Sequence, residues 1–205
     1  MSDDSAPRPE TARLHHDGRR RCAWCSDDPL YTGYHDHEWG VPVHDERRLF
    51  EMLCLEGAQA GLSWLTILRK RENYRRAFAS FDAERIARYG ARERARLMKD
   101  PGIVRNRLKI EAFVENARAY LRLRDAGGTL DACLWGFTDG RVLRRRPLRL
   151  GDVAVSTRHS DAMSRELKAR GFRFVGTTIC HAFMQAVGIV DEHQRHCWVA
   201  ARGRR

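Results

Sequence analysis

No stretch of this chain approaches the roughly 20 consecutive apolar residues of a membrane-spanning helix, which excludes an integral helical membrane protein and a membrane partner. The opening residues Met1-Ser2-Asp3-Asp4 begin no apolar signal core, so the cytoplasm is the expected compartment. Internal repeats are missing, and no segment alternates polar and apolar residues as a half-buried strand does, which leaves all-α as the expected fold class. The six cysteines, Cys22, Cys25, Cys54, Cys133, Cys180 and Cys197, have no secretory context, and the chain is too large to need staples. Metal ligation or buried free thiols are therefore expected in place of disulfides. Acidic residues are scarce beside basic ones, 27 against 38, for a formal net charge of +11. A surplus of that sign, carried mostly by arginine, points to a polyanion and above all to nucleic acid, the plainer alternative being arginine-rich composition alone.

What is present suffices for one core: 205 residues, of which 42% are hydrophobic. Met1 to Arg21 reads as a basic arm, disordered or loosely held, with Arg19-Arg20-Arg21 available to a phosphate backbone. A single domain is expected over 22–199, followed by a basic tail at 200–205. Helices are expected at Asp45–Glu56, Trp64–Ala79, a short piece from Asp82 to Gly90, Arg92–Lys99, Ile103–Arg124, Thr129–Trp135, Ser160–Arg170 and Thr177–Val187. The basic stretch Arg141–Val155 is expected as a surface loop.

The chain is organised around Leu53–Trp64, which sets Glu56 and Trp64 among small residues between two apolar helices. A carboxylate buried there without a partner costs several kcal/mol, so it is protonated, bonded to amides, or waiting for a cation. The plainer alternative is a helix corner whose Glu caps amides and whose Trp fills the core. A second constellation, Leu97 to Arg107 around Asp100-Pro101-Gly102, is a helix, glycine turn and helix with Arg105, Arg107 and Lys109 nearby. Amides and dipole at such a turn suit a phosphate; solvated arginines at an ordinary corner are the alternative. The third lies at the two chain ends. His193 and Cys197 stand four apart, and Cys22, Cys25, His35 and His37 are available to complete a tetrahedral zinc site, with scattered thiols and surface histidines as the alternative.

Together Cys22-Ala23-Trp24, Asp28-Pro29-Leu30-Tyr31, Tyr34-His35-Asp36-x-Glu38-Trp39-Gly40-Val41-Pro42, Leu55-Glu56-Gly57-x-x-Ala60-Gly61-Leu62-Ser63-Trp64, Lys70-Arg71-Glu72-Asn73-Tyr74 and Gly171-Phe172-x-Phe174-Val175-Gly176-Thr177-Thr178-Ile179-Cys180 resemble the bacterial 3-methyladenine DNA glycosylase I family. The resemblance runs from about Cys22 to Cys197. It implies a helix-hairpin-helix glycosylase fold with a structural zinc ion joining the N- and C-terminal segments, held by Cys22, His35, His193 and Cys197. It also implies a monomer that excises 3-methyladenine from double-stranded DNA containing alkylated bases. Glu56 and Tyr34 would be catalytic; Glu56, Tyr34, Trp64, Trp24 and Tyr31 would bind the base. Gly61, Leu62, Gly102, Val104, Arg105 and Lys109 would touch DNA, Leu62 as a plug where the lesion leaves the duplex.

An N3-alkylated adenine carries a delocalised positive charge and departs as a neutral base. A semi-buried carboxylate beside aromatic faces then discriminates by charge, the aromatic face contributing roughly 0.5 to 2 kcal/mol. Asp131 is tempting as a sugar-cation stabiliser, but it lies beyond a whole helix from Gly102, and the resembled family lacks that aspartate. It is expected to hydrogen-bond near the helix starting at Thr129. An inactive zinc-clipped DNA-binding module and a zinc hydrolase are the competing readings. The first needs a filled pocket, the second an open metal position.

Overall fold

The computed structural model describes residues 10–202; the rest of the arm and of the tail, Met1–Pro9 and Gly203–Arg205, lies outside the described residues. The chain is mostly helical, with four two-residue strands among the described residues. In order these are β1 (Arg13–Leu14), β2 (Arg20–Arg21), α1 (Pro29–His37), α2 (Glu46–Gln59), α3 (Trp64–Ala77), α4 (Ala83–Ala87), α5 (Ala91–Lys99), α6 (Arg107–Asp125), α7 (Leu130–Trp135), β3 (Leu143–Arg144), α8 (Arg158–Ala169), α9 (Thr177–Ala186), β4 (Val190–Asp191) and α10 (Trp198–Arg202).

The core is built around α2, which packs on α3, α6, α7 and α9. Asp45 caps it by accepting from Arg48 N at 2.8 Å, and every residue from Leu49 to Ala58 is buried. A helix enclosed on all sides serves as the centre of a domain. On its flank Tyr74, Phe78 and Phe113 stack, the last two with centroids 4.3 Å apart. Gly57 belongs to this helix because a Cβ there would meet the Phe174 Cβ at 3.1 Å. Gly61 takes φ +76° where the chain turns from α2 into α3, a left-handed conformation that glycine adopts without strain. Ser63 then caps α3 through Thr66 N at 3.2 Å.

Several expectations need correction. Glu10–Arg21 is no loose arm. β1 and β2 pair antiparallel, and the Arg21 guanidinium is buried between Asp17 and Asp36, with bonds of 2.7 Å to each. Arg19 lies over the Trp198 ring at 4.3 Å and Arg20 donates to Ala12 O at 3.4 Å, so none of the three arginines is a free phosphate grip. Composition suggested disorder because apolar residues are few; ion pairs with the domain do the ordering. Ala200, placed in the tail, is buried in α10. The stretch Arg141–Val155 contains β3, which pairs parallel with β4, Leu143 opposite Val190. Two residues are too few for alternation to show in a sequence. α3 ends at Ala77, where Ala79, Ser80 and Phe81 take left-handed φ of 50°, 53° and 58°. α6 starts at Arg107, four residues later than expected, because the Asn106 side chain caps it through Lys109 N at 3.1 Å.

Candidate base-binding site and metal cluster

Glu56 stands in the last turn of α2, reaching into a cavity of about 210 Å³ walled by Trp24, Tyr31, Tyr34, Trp39 and Trp64. α1 carries Tyr31 and Tyr34, held in place by Asp28, which caps the helix through Leu30 N at 2.9 Å ahead of Pro29 at its first position. The first residue of α3 is Trp64. The Tyr34 and Trp64 rings lie 5.4 Å apart, and Trp24 sits 5.1 Å from Tyr31 and 5.0 Å from Trp39. The result is an aromatic box with two carboxyl residues in its lining, Glu56 and Glu192.

Among the described residues the Glu56 carboxyl has no hydrogen-bond partner, and it is only 4% exposed. Burial alone therefore pushes its pKa up to about 8, leaving it mostly neutral at pH 7 in the empty pocket. Tyr34 is pushed well above its ordinary value, first by burial and then by Glu56. The Trp64 indole N–H is buried without an acceptor. An unsatisfied donor and an unsatisfied carboxyl on one wall are what a pocket prepared for a polar, flat ligand leaves behind.

A second cavity, of about 180 Å³, shares Glu56 with the first and is rimmed by Gly61 and Leu62. Leu62 is exposed, so the turn after α2 presents an apolar tip beside the way in. Sequence reasoning missed Trp39, Gln59, Leu150, Val153, Ala182, Gln185, Glu192 and Gln194, which complete the lining. Glu192 is held by the Gln185 amide at 2.6 Å and by His181 Nε2 at 3.1 Å. Its place one residue before His193 was a usable signal; Leu150 and Val153 had none.

The hairpin residues are placed differently from expectation. Gly102 N donates to Asp100 Oδ1 at 2.7 Å and Val104 N to the Tyr74 hydroxyl at 3.1 Å, so both amides serve the turn itself. Arg105 is exposed. Lys109 leaves the set: its buried ammonium donates to Ala58 O at 2.8 Å and Ala60 O at 2.6 Å. The carbonyls at a helix C-terminus lack intrahelical donors and carry the negative end of the dipole, and Lys109 satisfies them beneath the Glu56 turn. Asp131 is far from this role as well, paired with His44 Nδ1 at 2.7 Å.

At the chain ends the buried Cys22, His35 and Cys197 gather with their ligand atoms within 4.8 Å of one another. His193 stands beside them, its ring 5.1 Å from His35 and its buried Nε2 without a partner. Asp36 Oδ1 holds His35 Nδ1 at 2.8 Å and Asp191 Oδ1 holds His193 Nδ1 at 2.9 Å. Carboxylates behind two imidazoles are the usual outer support of metal-binding histidines. Cys197 is drawn well below its ordinary value, first by the Cys22 thiol and then by His35, while burial pushes Cys22 up. Cys25 turns away, its sulfur 3.5 Å from Ser26 O, and His37 is exposed.

A helical scaffold presenting an aromatic box around a buried carboxyl that has no partner, beside a second that is hydrogen-bonded, suits a flat, electron-poor or hydrogen-donating ring. The comparisons narrow this. The methyladenine glycosylase family model matches residues 24–200. DNA-3-methyladenine glycosylase 1 of Escherichia coli (strain K12) is 50% identical over 177 residues, 86% of this chain and 95% of that one. The crystal structure of a 3-methyladenine DNA glycosylase I superposes with a TM-score of 0.86 at 51% identity, covering 87% of this chain and 98% of the other. A variant of 3-methyladenine DNA glycosylase I in complex with 3-methyladenine superposes at 0.84 with 38% identity, over 87% and 96% of the two chains. The chain belongs to the methyladenine glycosylase family.

Proposed function

We infer that this chain is a monofunctional DNA glycosylase of base excision repair, hydrolysing the N-glycosidic bond of 3-methyladenine in alkylated DNA. The observation that carries the reading is the single unpartnered carboxyl of Glu56 inside an aromatic box of base size. An extruded cationic base offers Glu56 the charge it lacks and lies against the Tyr34 and Trp64 faces, which attract a cation more than a neutral ring. Because the alkylated base leaves as a neutral molecule, little acid catalysis is needed. The pocket's work is extrusion, charge recognition and placement of the sugar carbon where water attacks. An open cavity of about 210 Å³ speaks against an inactive DNA-binding module, which would fill it.

Around that pocket we assign three supporting roles. Leu62, exposed on the turn after α2, fills the space left in the duplex. Arg105 and the exposed basic residues around it meet phosphates. Cys22, His35, Cys197 and His193 would hold a zinc ion, which with four protein ligands would lock the two chain ends together and supply no chemistry.

The deciding experiment is chromatography of bases released from alkylated duplex DNA. Release of 3-methyladenine with retention of 7-methylguanine is expected; a folded protein that releases nothing ends the reading. Leu62→Ala should slow release from duplex by about tenfold, the wedge offsetting part of the few kcal/mol that unstacking costs. Binding of free 3-methyladenine should stay as in the wild type, and a variant as fast as wild type on duplex removes Leu62 from that role. Affinity for duplex should fall linearly with log salt concentration, as phosphate contacts require; a flat dependence would remove the basic surface as the DNA grip.

A further inference from the structure

Leu150 and Val153 line the pocket, yet no residue from Arg141 to Val155 is fully buried, and the two that pack on the core, Val142 and Leu143, stand at the far end of the stretch. They flank a single 3-10 turn, Leu150–Asp152, in which Asp152 accepts from Arg149 N at 2.8 Å and Leu148 N at 3.2 Å. Arg195 N donating to Pro147 O at 2.9 Å holds the stretch just before this turn, and the start of the chain holds the turn itself. Leu150 N donates to Glu10 O at 2.6 Å, and Thr11 bridges Arg149 in antiparallel sense. The buried Gln194, itself in the pocket lining, donates to Glu10 O at 2.9 Å and to Leu148 O at 3.1 Å while accepting from Ala23 N at 2.6 Å. One carbonyl, Glu10 O, therefore ties the wall turn to the pocket floor. Arg13 anchors the strand behind it, donating to Cys25 O at 3.1 Å and pairing with Asp27 at 3.1 Å.

Glu10 and Thr11 precede the residues matched by the family model, 24–200, and the E. coli relative already has 95% of its length aligned. The family's domain thus folds with little room for a counterpart of this strand. We propose that Glu10–Thr11 is a positioning element for base recognition, holding Leu150 and Val153 against the pocket and so setting how large an alkylated base it admits. The proposal rests on the glycosylase reading above.

The test compares wild type, a deletion of residues 2–11, Leu150→Ala and their combination on duplexes carrying 3-methyladenine or the bulkier 3-benzyladenine. Melting temperature and metal content check folding. Deletion should raise KM, leave kcat and metal content in place, and narrow the preference for the smaller base by about tenfold, the scale of a methylene or two in a pocket. Leu150→Ala should do the same, and the combination should add less than the product of the two, as coupled sites do. An unchanged preference, or effects that multiply, overturns the proposal. Amide exchange over Leu148–Val153 is read on the same proteins without any substrate. Faster exchange at Leu150 after deletion is expected, and unchanged exchange overturns the proposal whatever the activity. Failure of wild type to release 3-methyladenine instead overturns the functional reading.

Discussion

Glu56→Gln should lose excision by about 10²-fold or more while melting higher than wild type above pH 8. The two effects share one cause. Removing one partner of a buried charged pair costs about 2–5 kcal/mol, and the pair here forms only when the cationic base arrives. Without the base, the same carboxyl is a burden: burial has pushed it up to about 8 from an ordinary 4.5. A carboxyl with a raised folded pKa contributes stability that is intact below its ordinary value and lost as pH climbs from there through the folded value. The wild type therefore weakens between about pH 4.5 and 8 on this account, and glutamine, which does not titrate, does not. Each pKa unit is about 1.4 kcal/mol, so the penalty at high pH amounts to several kcal/mol. For a chain of this size that corresponds to about 10–20 °C in melting temperature. Wild-type kcat/KM should rise as pH passes through about 8, where the empty pocket ionises, and the variant's profile should lack that step. A variant that excises normally, or melts no higher than wild type at pH 9, would mean that Glu56 is an ordinary buried side chain.

How far the sequence showed this in advance depended on whether the signal was local. The helix starts expected at Asp45, Trp64, Asp82 and Thr129 were legible because a start is decided within three residues, and Asp45, Ser63, Asp82 and Thr129 each accept from the amide three positions on. The aromatic residues around Glu56 were legible from the resemblance, and the structure brings Trp24, Tyr31, Tyr34 and Trp64 to one cavity. Lys109 misled because a lysine near a glycine turn looks solvent-facing, whereas the carbonyls it satisfies, Ala58 and Ala60, are about fifty positions earlier in the chain. Arg21 misled for the same reason: its partner Asp36 lies on a helix that begins later. Leu150 and Val153 were invisible, since an apolar residue in a loop has no periodicity to mark the face it shows. Polar pairing across long separations is the part of this fold that a one-dimensional reading does not see.

His193→Ala should release the metal and lower the melting temperature by about 10 °C, from a loss of a few kcal/mol in a chain of this size. Cys22, His35 and Cys197 come from both ends of the chain and already share one small volume, with a fourth imidazole nitrogen buried beside them and unsatisfied. A bound cation would satisfy that nitrogen and hold the Cys197 thiolate, so its loss leaves the C-terminal segment to hydrogen bonds such as those of Gln194 and Trp198 and to packing of Ala200. Asp191→Asn should show a milder form of the defect. It keeps the ligand but weakens the carboxylate that orients it, and outer partners of this kind are worth about 10- to 100-fold in metal affinity. Excision by the refolded fraction of either variant should stay near wild type per folded molecule, because none of the four cluster residues lines the base pocket. Metal stoichiometry by elemental analysis, read beside the melting curve, checks both: full occupancy in His193→Ala would move the fourth ligand to another side chain, and loss of excision without loss of folding would give the metal a part in the chemistry.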